Sequence, residues 1–317
     1  MRVFRHTSAS DDARGAVVAA GNFDGVHLGH QAVLGEAKAL AKSIGAPFAV
    51  LTFEPHPRAV FQPGLPPFRL TPFRAKSLVL EALGVDLLFT LHFDLAFAQK
   101  TAEEFVAEVL VAHLGAKAVV VGYDFVFGNK RRGTADLLTA EGGKHGFAVK
   151  IVAPVFASGG AGAGGVVYSS THIREHLVAG RPREAAALLG RPWEIDGRVE
   201  VGDKLGRTIG FPTANIDLAD YLRPAPGVYA VRVGIEDGGK TLWHDGAANL
   251  GWRPTVGGKD LRLETHLFDF SGDLYGKHLR VALIERLRPE QRFAGLDALK
   301  AQIAVDCEKA REILASA

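Results

Sequence analysis

Short apolar runs alternate with longer segments that have one apolar face throughout the first half of the chain. Residues 16–20 (AVVAA) and 48–53 (FAVLTF) predict buried strands, and residues 30–44 between them repeat apolar side chains with the period of a helix. The alternation continues with helices predicted over 74–83 and 101–114, and strands over 85–93, 116–121 and 147–155. Thr101 and Glu104 have the spacing of a capping box. Such alternation predicts a mostly parallel sheet that binds ligands at the carboxyl ends of its strands.

The pattern changes near residue 190. Two short helical patterns, 170–178 and 183–189, precede strand-like stretches that are separated by glycine-rich turns. The strands are predicted over 197–201, 227–236, 241–249, 261–270 and 279–286. This arrangement is typical of a small antiparallel sandwich or barrel, and residues 295–316 close the chain as an amphipathic helix. We therefore predict two domains, 1–186 and 187–317.

Composition narrows the class of protein. Hydrophobic residues make up 47% of the 317 positions and charged residues 23%, which is typical of a folded chain rather than a disordered one. The 37 basic and 35 acidic residues nearly balance, so we expect no nucleic-acid and no membrane partner. The chain has one cysteine, Cys307, and neither a signal-peptide core nor a membrane-spanning apolar run. We expect a cytoplasmic protein; no oligomeric state follows from the sequence.

Residues 160–165 (GAGAGG) match the glycine spacing of dinucleotide-binding loops. That fingerprint needs a helix directly after it and an acidic residue about 20 positions further on, whereas VVYSS and then AAALL occupy those places. We interpret the stretch as a flexible loop. The chain also lacks a G-x-x-x-x-G-K-[ST] motif, so ATP binding here would not use a P-loop.

Residues 21–31 (GNFDGVHLGHQ) place three glycines and two histidines where the first strand ends and the first helix begins. His27 and His30 could be ordinary turn histidines, a metal pair or phosphate ligands. A zinc pair would need further ligands, and no convincing third one is nearby in the sequence. Glycine lets the backbone approach a phosphate, and a helix N-terminus offers N–H groups and a positive dipole end. Two imidazoles there could stabilise charge on phosphate oxygens as a bond to phosphorus forms.

Residues 202–215 (GDKLGRTIGFPTAN) combine glycines and cations with a hydroxyl and an amide. The segment could be a loop rich in turn formers. Thr213 and Asn215 are two positions apart, so on an extended segment both side chains share one face. A hydroxyl and an amide oxygen suit Mg²⁺, which commonly shares its oxygen ligands with phosphates.

Residues 261–267 (LRLETHL) alternate cleanly, which puts the three leucines on one face and Glu264 on the other. By pattern alone, Glu264 is either a solvated carboxylate or a base. Kinase chemistry needs such a group to position and deprotonate an attacking hydroxyl.

Several stretches resemble known families. HLGH (27–30) is similar to the HxGH nucleotidyltransferases, which transfer an adenylyl group from ATP to a phosphate, and SSTHIR (169–174) is similar to their later helix-start element. Further stretches resemble, in order, the bifunctional bacterial riboflavin kinase/FAD synthetases. They are LTFEPHPRAVF (51–61), GVDLLFTLHFD (84–94), TAEEFV (101–106), VVVGYDFVFG (119–128), PTAN (212–215) and ETHLFDF (264–270).

The resemblance implies a fold and a first activity. The fold is an α/β Rossmann-like nucleotidyltransferase domain followed by a small antiparallel β-barrel flavokinase domain with a C-terminal helix. The first domain would adenylylate FMN, with His27, His30 and Arg174 stabilising the transition state. The residues expected at ATP or its phosphates are Gly21, Phe23, Asp24, Gly25, Gly29, Ser169, Ser170 and Thr171. Those expected near the flavin are Phe61, Asp124, Phe125 and Phe127, and each Phe equally suits core packing. Residues 129–133 (NKRRG) would form a phosphate-contacting lid or a solvated loop.

The resemblance also implies a second activity, phosphorylation of riboflavin, with Glu264 as base and Thr213 and Asn215 at the metal and phosphates. Gly202, Lys204, Gly206 and Arg207 are expected at ATP, and Arg288, Arg292 and Phe293 at the flavin. Mg²⁺ with ATP is the expected cofactor. The expected small molecules are riboflavin, FMN, FAD, ATP, ADP, AMP and pyrophosphate, with FMN and FAD as substrate and product rather than prosthetic groups. Two rivals are a flavokinase that has lost adenylylation and a flavin carrier without turnover; the intact motifs argue against both.

Overall fold

The computed structural model describes residues 1–5, 13–156, 165, 167–201, 206, 209–237, 240–255 and 258–316. The chain divides into two compact units, Met1–Pro66 with Lys76–Ser169, and Pro67–Ala75 with Ser170–Ala317. The domain boundary between residues 186 and 187 stays a prediction.

A six-stranded parallel sheet organises the first unit. Its strands are β1 (Arg2–Arg5), β2 (Val17–Ala20), β3 (Phe48–Glu54), β4 (Leu87–His92), β5 (Ala118–Gly122) and β6 (Ala148–Val152), in the order β1-β4-β3-β2-β5-β6. All four residues of β2 are buried, as expected for a strand covered on both faces. The chain builds the sheet outward from β2 through β3 and β4, then returns to the other side of β2 with β5. The carboxyl end of β2 therefore lies at the topological switch point, where α/β sheets bind ligands.

Helices follow most of these strands. They are α1 (Leu28–Ser43), α2 (Pro57–Phe61), α3 (Phe73–Ala82), α4 (Ala102–Glu104) and α5 (Ala135–His145), with short 3₁₀ turns at Phe97–Gln99 and Asn129–Arg131. The predicted capping box is present: the Thr101 hydroxyl accepts from the Glu104 N–H at 3.1 Å, and the Glu104 carboxylate accepts from the Thr101 N–H at 2.8 Å. Beyond α4 the segment Phe105–His113 continues as a π-helix, where the sequence predicted a regular helix.

A closed antiparallel barrel forms most of the second unit, preceded by α6 (Ser170–Val178) and α7 (Pro182–Leu189). Its strands are β7 (Trp193–Glu200), β8 (Ala214–Asp217), β9 (Gly227–Asp237), β10 (Lys240–Thr255), β11 (Gly258–Leu267) and β12 (His278–Arg288), in the order β10-β11-β8-β7-β12-β9. Closure pairs every strand on both sides, so the barrel has no open edge. The last helix, α8 (Leu296–Ala315), packs on β9, β10 and β12 through Ala310 and Leu314.

The predicted fold class is confirmed, and several details were wrong. Strands β1 and β8 and helices α2 and α5 were not predicted. Helix α1 begins two residues earlier than expected, and the strand predicted to reach residue 270 ends at Leu267. The earlier start of α1 matters most, because it makes His27 the N-cap and places His30 in the first turn. No helix within the described ranges is both long and apolar enough to cross a membrane.

Candidate functional sites

The first candidate site is the loop that joins β2 to α1. Phe23 and Val26 have φ values of 47° and 45°, although neither is glycine, and Gly25 has a φ of 89°. Side chains other than glycine adopt this region at a cost, so surrounding contacts must hold the loop in place. One such contact is the Gln31 side-chain amide, which donates to the Val26 carbonyl at 2.9 Å. Phe23, Asp24 and His27 are all buried.

His27 caps α1 with its side chain. Its Nδ1 accepts a hydrogen bond from the His30 backbone N–H at 3.3 Å, so the ring proton of a neutral His27 lies on Nε2. The His27 and His30 rings stack with centroids 3.6 Å apart, and the edge of Phe23 packs on His30 at 5.3 Å. The two imidazoles therefore form one unit at the positive end of a 16-residue helix.

Position 29 is closely packed, which favours glycine there. A Cβ there would lie 3.1 Å from the His27 ring and 3.3 Å from Cβ of Tyr168. At Gly21 a Cβ would meet the Phe23 ring at 3.1 Å. Gly21 and Gly29, predicted to let a phosphate approach, therefore also leave space for the rings of Phe23 and His27.

The loop after β5 contributes the second side of this site, because β5 pairs with β2 in parallel and both strands end at the same edge of the sheet. Asp124 is exposed there, and Phe125 is partly buried. Phe127 is only 7% exposed and belongs to the core, stacked on Phe125 at 5.5 Å. Of these two rings, Phe125 has more surface to offer a ligand.

Phe61 follows β3, the other neighbour of β2, and is 58% exposed at the end of α2. Its ring meets the edge of Phe93 at 5.8 Å, and Phe93 in turn contacts Phe53 and Phe97. An exposed aromatic ring supported from below by further aromatic rings suits a flat ligand.

The cationic loop after Phe127 is anchored by its first residue. The Asn129 amide donates to the Ala98 carbonyl at 3.1 Å and to the Gln99 side chain at 3.0 Å. Lys130 and Arg131 have φ values of 52° and 59°, and both are exposed, as is Arg132. The loop is therefore held at one end and presents its cations to solvent.

The SSTHIR segment begins α6: Ser170 is the first helical residue and Thr171 the second, directly after Ser169. Arg174 lies one turn further on in the second unit. Its Nε donates to the Phe68 carbonyl at 2.9 Å, and its guanidinium lies 5.6 Å from the centre of the Phe68 ring.

The second candidate site is a cavity of about 340 Å³ in the barrel unit. The predicted residues Gly206, Thr213, Asn215, Glu264, Arg288 and Phe293 all line it. Arg292 is exposed and is not among the lining residues, and Gly202, Lys204 and Arg207 lie outside the described residues. The cavity therefore brings together the hydroxyl, the amide and the carboxylate that the sequence separates by about fifty positions.

Strand register explains how these side chains meet. Glu264 on β11 is paired with Asn215 on β8 and with Asn249 on β10. Directly paired residues of antiparallel strands have side chains on the same face, with Cβ atoms about 5 Å apart. The carboxylate is thus flanked by two amides. Asn249 was not singled out from the sequence, although a polar residue inside the apolar stretch AANL was a usable signal.

His266 holds the PTAN segment in place. Its Nδ1 bonds the Pro212 carbonyl at 2.9 Å, which requires the proton on Nδ1 because a carbonyl only accepts. The Phe211 ring packs edge-on against His266 at 5.5 Å. The residue two positions after Glu264 therefore fixes the start of the segment that carries Thr213 and Asn215.

An ion pair forms another part of the cavity wall. Arg288 Nη2 donates to Asp306 at 2.7 Å and Nε donates to both carboxylate oxygens at 3.0 Å, while Gln302 donates to Asp306 at 3.0 Å. The Arg288 guanidinium also lies 5.7 Å from the centre of the Phe293 ring. Asp306 is 5% exposed and was not predicted from the sequence. The end of β12 is thus fastened to α8 beside the cavity.

The metal-pair interpretation of the two loop histidines gains no support. Across the described part of the chain, no three His, Cys, Asp or Glu side chains come together as a metal site. Thr213 and Asn215 present a different chemistry, a hydroxyl and an amide beside a carboxylate.

Comparison with known proteins gives matches over both units. The family model described as FAD synthetase matches residues 9–162, and the one described as riboflavin kinase matches residues 189–314. The chain is 45% identical over 307 residues to the bifunctional riboflavin kinase/FMN adenylyltransferase of Escherichia coli (strain K12), which covers 97% of this chain and 95% of that protein. The protein of the same description from Haemophilus influenzae is 42% identical over 298 residues, 94% of each chain.

A solved structure described as a macrolide-efflux protein from Streptococcus pneumoniae is also similar. Its sequence is 32% identical, the TM-score is 0.84, and the match covers 98% of this chain and 99% of that chain. The likeness therefore extends over nearly the whole length of both proteins.

Proposed function

Because this chain belongs to the family of bifunctional riboflavin kinase/FMN adenylyltransferases, it converts riboflavin to FMN and FMN to FAD, and we propose how its own residues divide the two steps. The barrel phosphorylates riboflavin with ATP. The parallel-sheet unit supplies the histidine loop that transfers AMP from a second ATP to FMN.

The pairing of Glu264 with Asn215 carries the kinase proposal, because it puts a carboxylate beside a phosphate-side amide on one wall of a cavity. Glu264 accepts the proton of riboflavin's terminal ribityl hydroxyl. The hydroxyl oxygen bonds to the γ-phosphorus of ATP, the bond from that phosphorus to the bridging oxygen breaks, and ADP leaves. Such a positioned base contributes about 10²–10⁴-fold to the rate. Phe293 and the Arg288–Asp306 wall bound the space for the flavin.

The oxygen donors in the cavity fit Mg²⁺. Thr213 and Asn215 offer one hydroxyl and one amide oxygen, and a magnesium ion of this kind takes its remaining ligands from phosphates and water. Bound there, Mg²⁺ would neutralise charge on the transferring phosphoryl group. Thr213 and Asn215 orient the nucleotide phosphates against the hydroxyl that Glu264 holds.

Adenylyl transfer takes place at the N-terminus of α1. An FMN phosphate oxygen bonds to the α-phosphorus of ATP, the bond to the β-phosphate bridge breaks, and pyrophosphate leaves. His27 and His30 donate to the phosphate oxygens on which charge builds, beside the positive N-terminal end of the helix. In the same proposal, the Arg174 guanidinium donates hydrogen bonds to the triphosphate. Asp124, Phe125 and Phe61 bind the flavin, with Phe61 as the exposed ring platform.

The two sites are tested by separate variants of the full chain incubated with riboflavin, ATP and Mg²⁺, with FMN and FAD resolved over time. Glu264→Gln should lower FMN formation by at least about 100-fold and leave FMN-to-FAD conversion unchanged. His30→Ala should do the reverse. Each variant's retained activity shows that the chain is folded.

The outcome separates the proposal from its rivals. A flavokinase without adenylylation would form FMN and no FAD, and a flavin carrier would form neither. If Glu264→Gln left the rate of FMN formation intact, the assignment of the base would be wrong. A cytoplasmic location is part of the proposal, supported by the single cysteine and by substrates of cytoplasmic metabolism.

A further inference from the structure

Lys76 is a buried cation that the two proposed mechanisms do not use. It lies on α3 and is only 1% exposed. Burying an ammonium group is unfavourable unless hydrogen bonds and charges compensate for the lost water. A lysine retained in such a place therefore needs specific partners, and those partners indicate what it does.

The partners of Lys76 lead to the histidine loop. Its Nζ donates to the Asn22 carbonyl at 2.7 Å and to the Thr52 hydroxyl at 3.4 Å, and it lies 3.8 Å from the Glu54 carboxylate. The Thr52 hydroxyl donates to the same Asn22 carbonyl at 3.3 Å. Two side chains from outside the loop thus converge on one carbonyl oxygen.

Asn22 is the residue from which the strained loop departs. Phe23 follows with a φ of 47°, and Gly25 and Val26 continue with positive φ values before His27 caps α1. Non-glycine residues remain in that region only where the surroundings fix the backbone. A charge-assisted hydrogen bond to the Asn22 carbonyl is stronger than a neutral one. It fixes the peptide plane at the point where the loop leaves β2.

We propose that Lys76 is a positioning residue for adenylyl transfer: its ammonium group fixes the Asn22 carbonyl and so holds the loop that places His27 and His30. The inference rests on the proposed role of those histidines. Lys76 itself touches no reacting atom in this scheme. Its effect is expected on the rate of the chemical step, because a displacement of about 1 Å can cost about 100-fold in rate.

The test uses Lys76→Met in the full chain. Methionine nearly matches the volume of lysine, so a residue that only filled space would be replaced without loss. We expect kcat for FMN-to-FAD conversion to fall by roughly 100-fold, with KM for FMN within about 3-fold because the flavin contacts lie elsewhere. The thermal midpoint should fall, since removing one member of a buried pair leaves its partners uncompensated, so both rates are measured at a temperature at which the variant is folded. FMN formation by the same chain should be unchanged.

Two further variants test whether the effect comes from the hydrogen bonds to the Asn22 carbonyl. Lys38 is an exposed lysine on α1 that donates to the Leu83 carbonyl at 2.8 Å, so Lys38→Met is the matched control and should leave both rates unchanged. Thr52→Val removes the second donor to the Asn22 carbonyl at constant volume. It should lower kcat in the same direction by about tenfold, and the double variant should lose less than the product of the two effects.

A Lys76→Met protein with kcat within about twofold of wild type would overturn the inference. If that variant does not fold, the Thr52→Val kcat decides alone, and an unchanged value there overturns it equally. His30→Ala is measured in parallel. If His30→Ala leaves FAD formation intact, the proposed histidine site fails; if it abolishes FAD formation while Lys76→Met does not, only the positioning role fails.

Discussion

Cys307 lies on the wall of the barrel cavity, next to Asp306. Burial raises the pKa of its thiol to about 11, and the neighbouring carboxylate acts in the same direction. Alkylation requires the thiolate form of the side chain. At pH 8 the thiolate fraction of Cys307 is then on the order of 10⁻³, whereas that of free cysteine is roughly a quarter. We expect iodoacetamide to react about 100-fold more slowly than with free cysteine at pH 8, and about tenfold faster for each pH unit above that.

The chain has one cysteine, so the mass increase alone assigns the reaction to Cys307. The same chain in urea should react like free cysteine, which is the matched control. Saturating riboflavin should slow the reaction at every pH, because this cavity is its proposed binding site. A folded protein that reacts as fast as the unfolded one would show that the thiol is neither buried nor shielded.

The ion pair between Arg288 and Asp306 joins the end of β12 to α8 beside the proposed riboflavin site. Arg288 ends the strand, and its guanidinium is held by the buried Asp306 of the helix. Residues 290, 291 and 293, which follow directly, line the cavity. Asp306→Asn removes the charge that holds Arg288, so this wall should loosen. We expect KM for riboflavin to rise about tenfold and kcat for FMN formation to change less than about threefold. The reason is that Glu264 and Asn215 lie on other strands and Thr213 directly precedes β8.

Asp269→Asn is the matched control for that variant. Asp269 also pairs with an arginine, Arg311 at 2.7 Å, but its side chain is 80% exposed. Exposed pairs contribute little to stability, whereas a hydrogen bond to a buried charge contributes about 1.5–3 kcal/mol. Only Asp306→Asn should therefore change KM and lower the thermal midpoint. Equal riboflavin kinetics for the two variants would contradict a positioning role of Asp306.

Strong periodicity made most elements predictable. Strands β2 and β3 were found because a buried parallel strand is a continuous apolar run. Strand β1 was missed because it is four residues long, mostly exposed, and begins and ends with arginine. Strand β8 was missed because PTAN has the composition of a loop. The strand character of Ala214 and Asn215 comes from pairing with β7 and β11. The π-helical segment after Glu104 (FVAEVLVAH) is apolar at most of its positions, so its pattern does not separate a π-helix from an α-helix.

The site residues also fall into two groups, those that the sequence predicts and those that it does not. His27, His30 and Glu264 could be proposed because their motifs are local, and their roles stay predictions. Lys76 and Asp306 could not be found, because a charged residue in a helical pattern normally lies at the surface. Their burial depends on what packs around α3 and α8, and that information is spread over distant parts of the chain. The residues that support a site were thus harder to predict than those proposed to act in it.

Each of the two proposed sites can be inactivated by its own variant. A mixture of the two variants therefore tests how the whole chain makes FAD. A Glu264→Gln chain retains adenylyl transfer and a His30→Ala chain retains the kinase step. Neither should form FAD from riboflavin alone. Mixed in equal amounts with riboflavin, ATP and Mg²⁺, they should form it, because FMN is a small product that can leave one chain and bind another. FMN should accumulate first, and FAD should follow after a lag, since its rate depends on the FMN concentration reached in solution. The lag should shorten as the concentration of the His30→Ala chain is raised.

If each variant keeps its own activity and the mixture still forms no FAD, then FMN made at the barrel does not reach the histidine loop of another chain, and both steps have to occur within one chain.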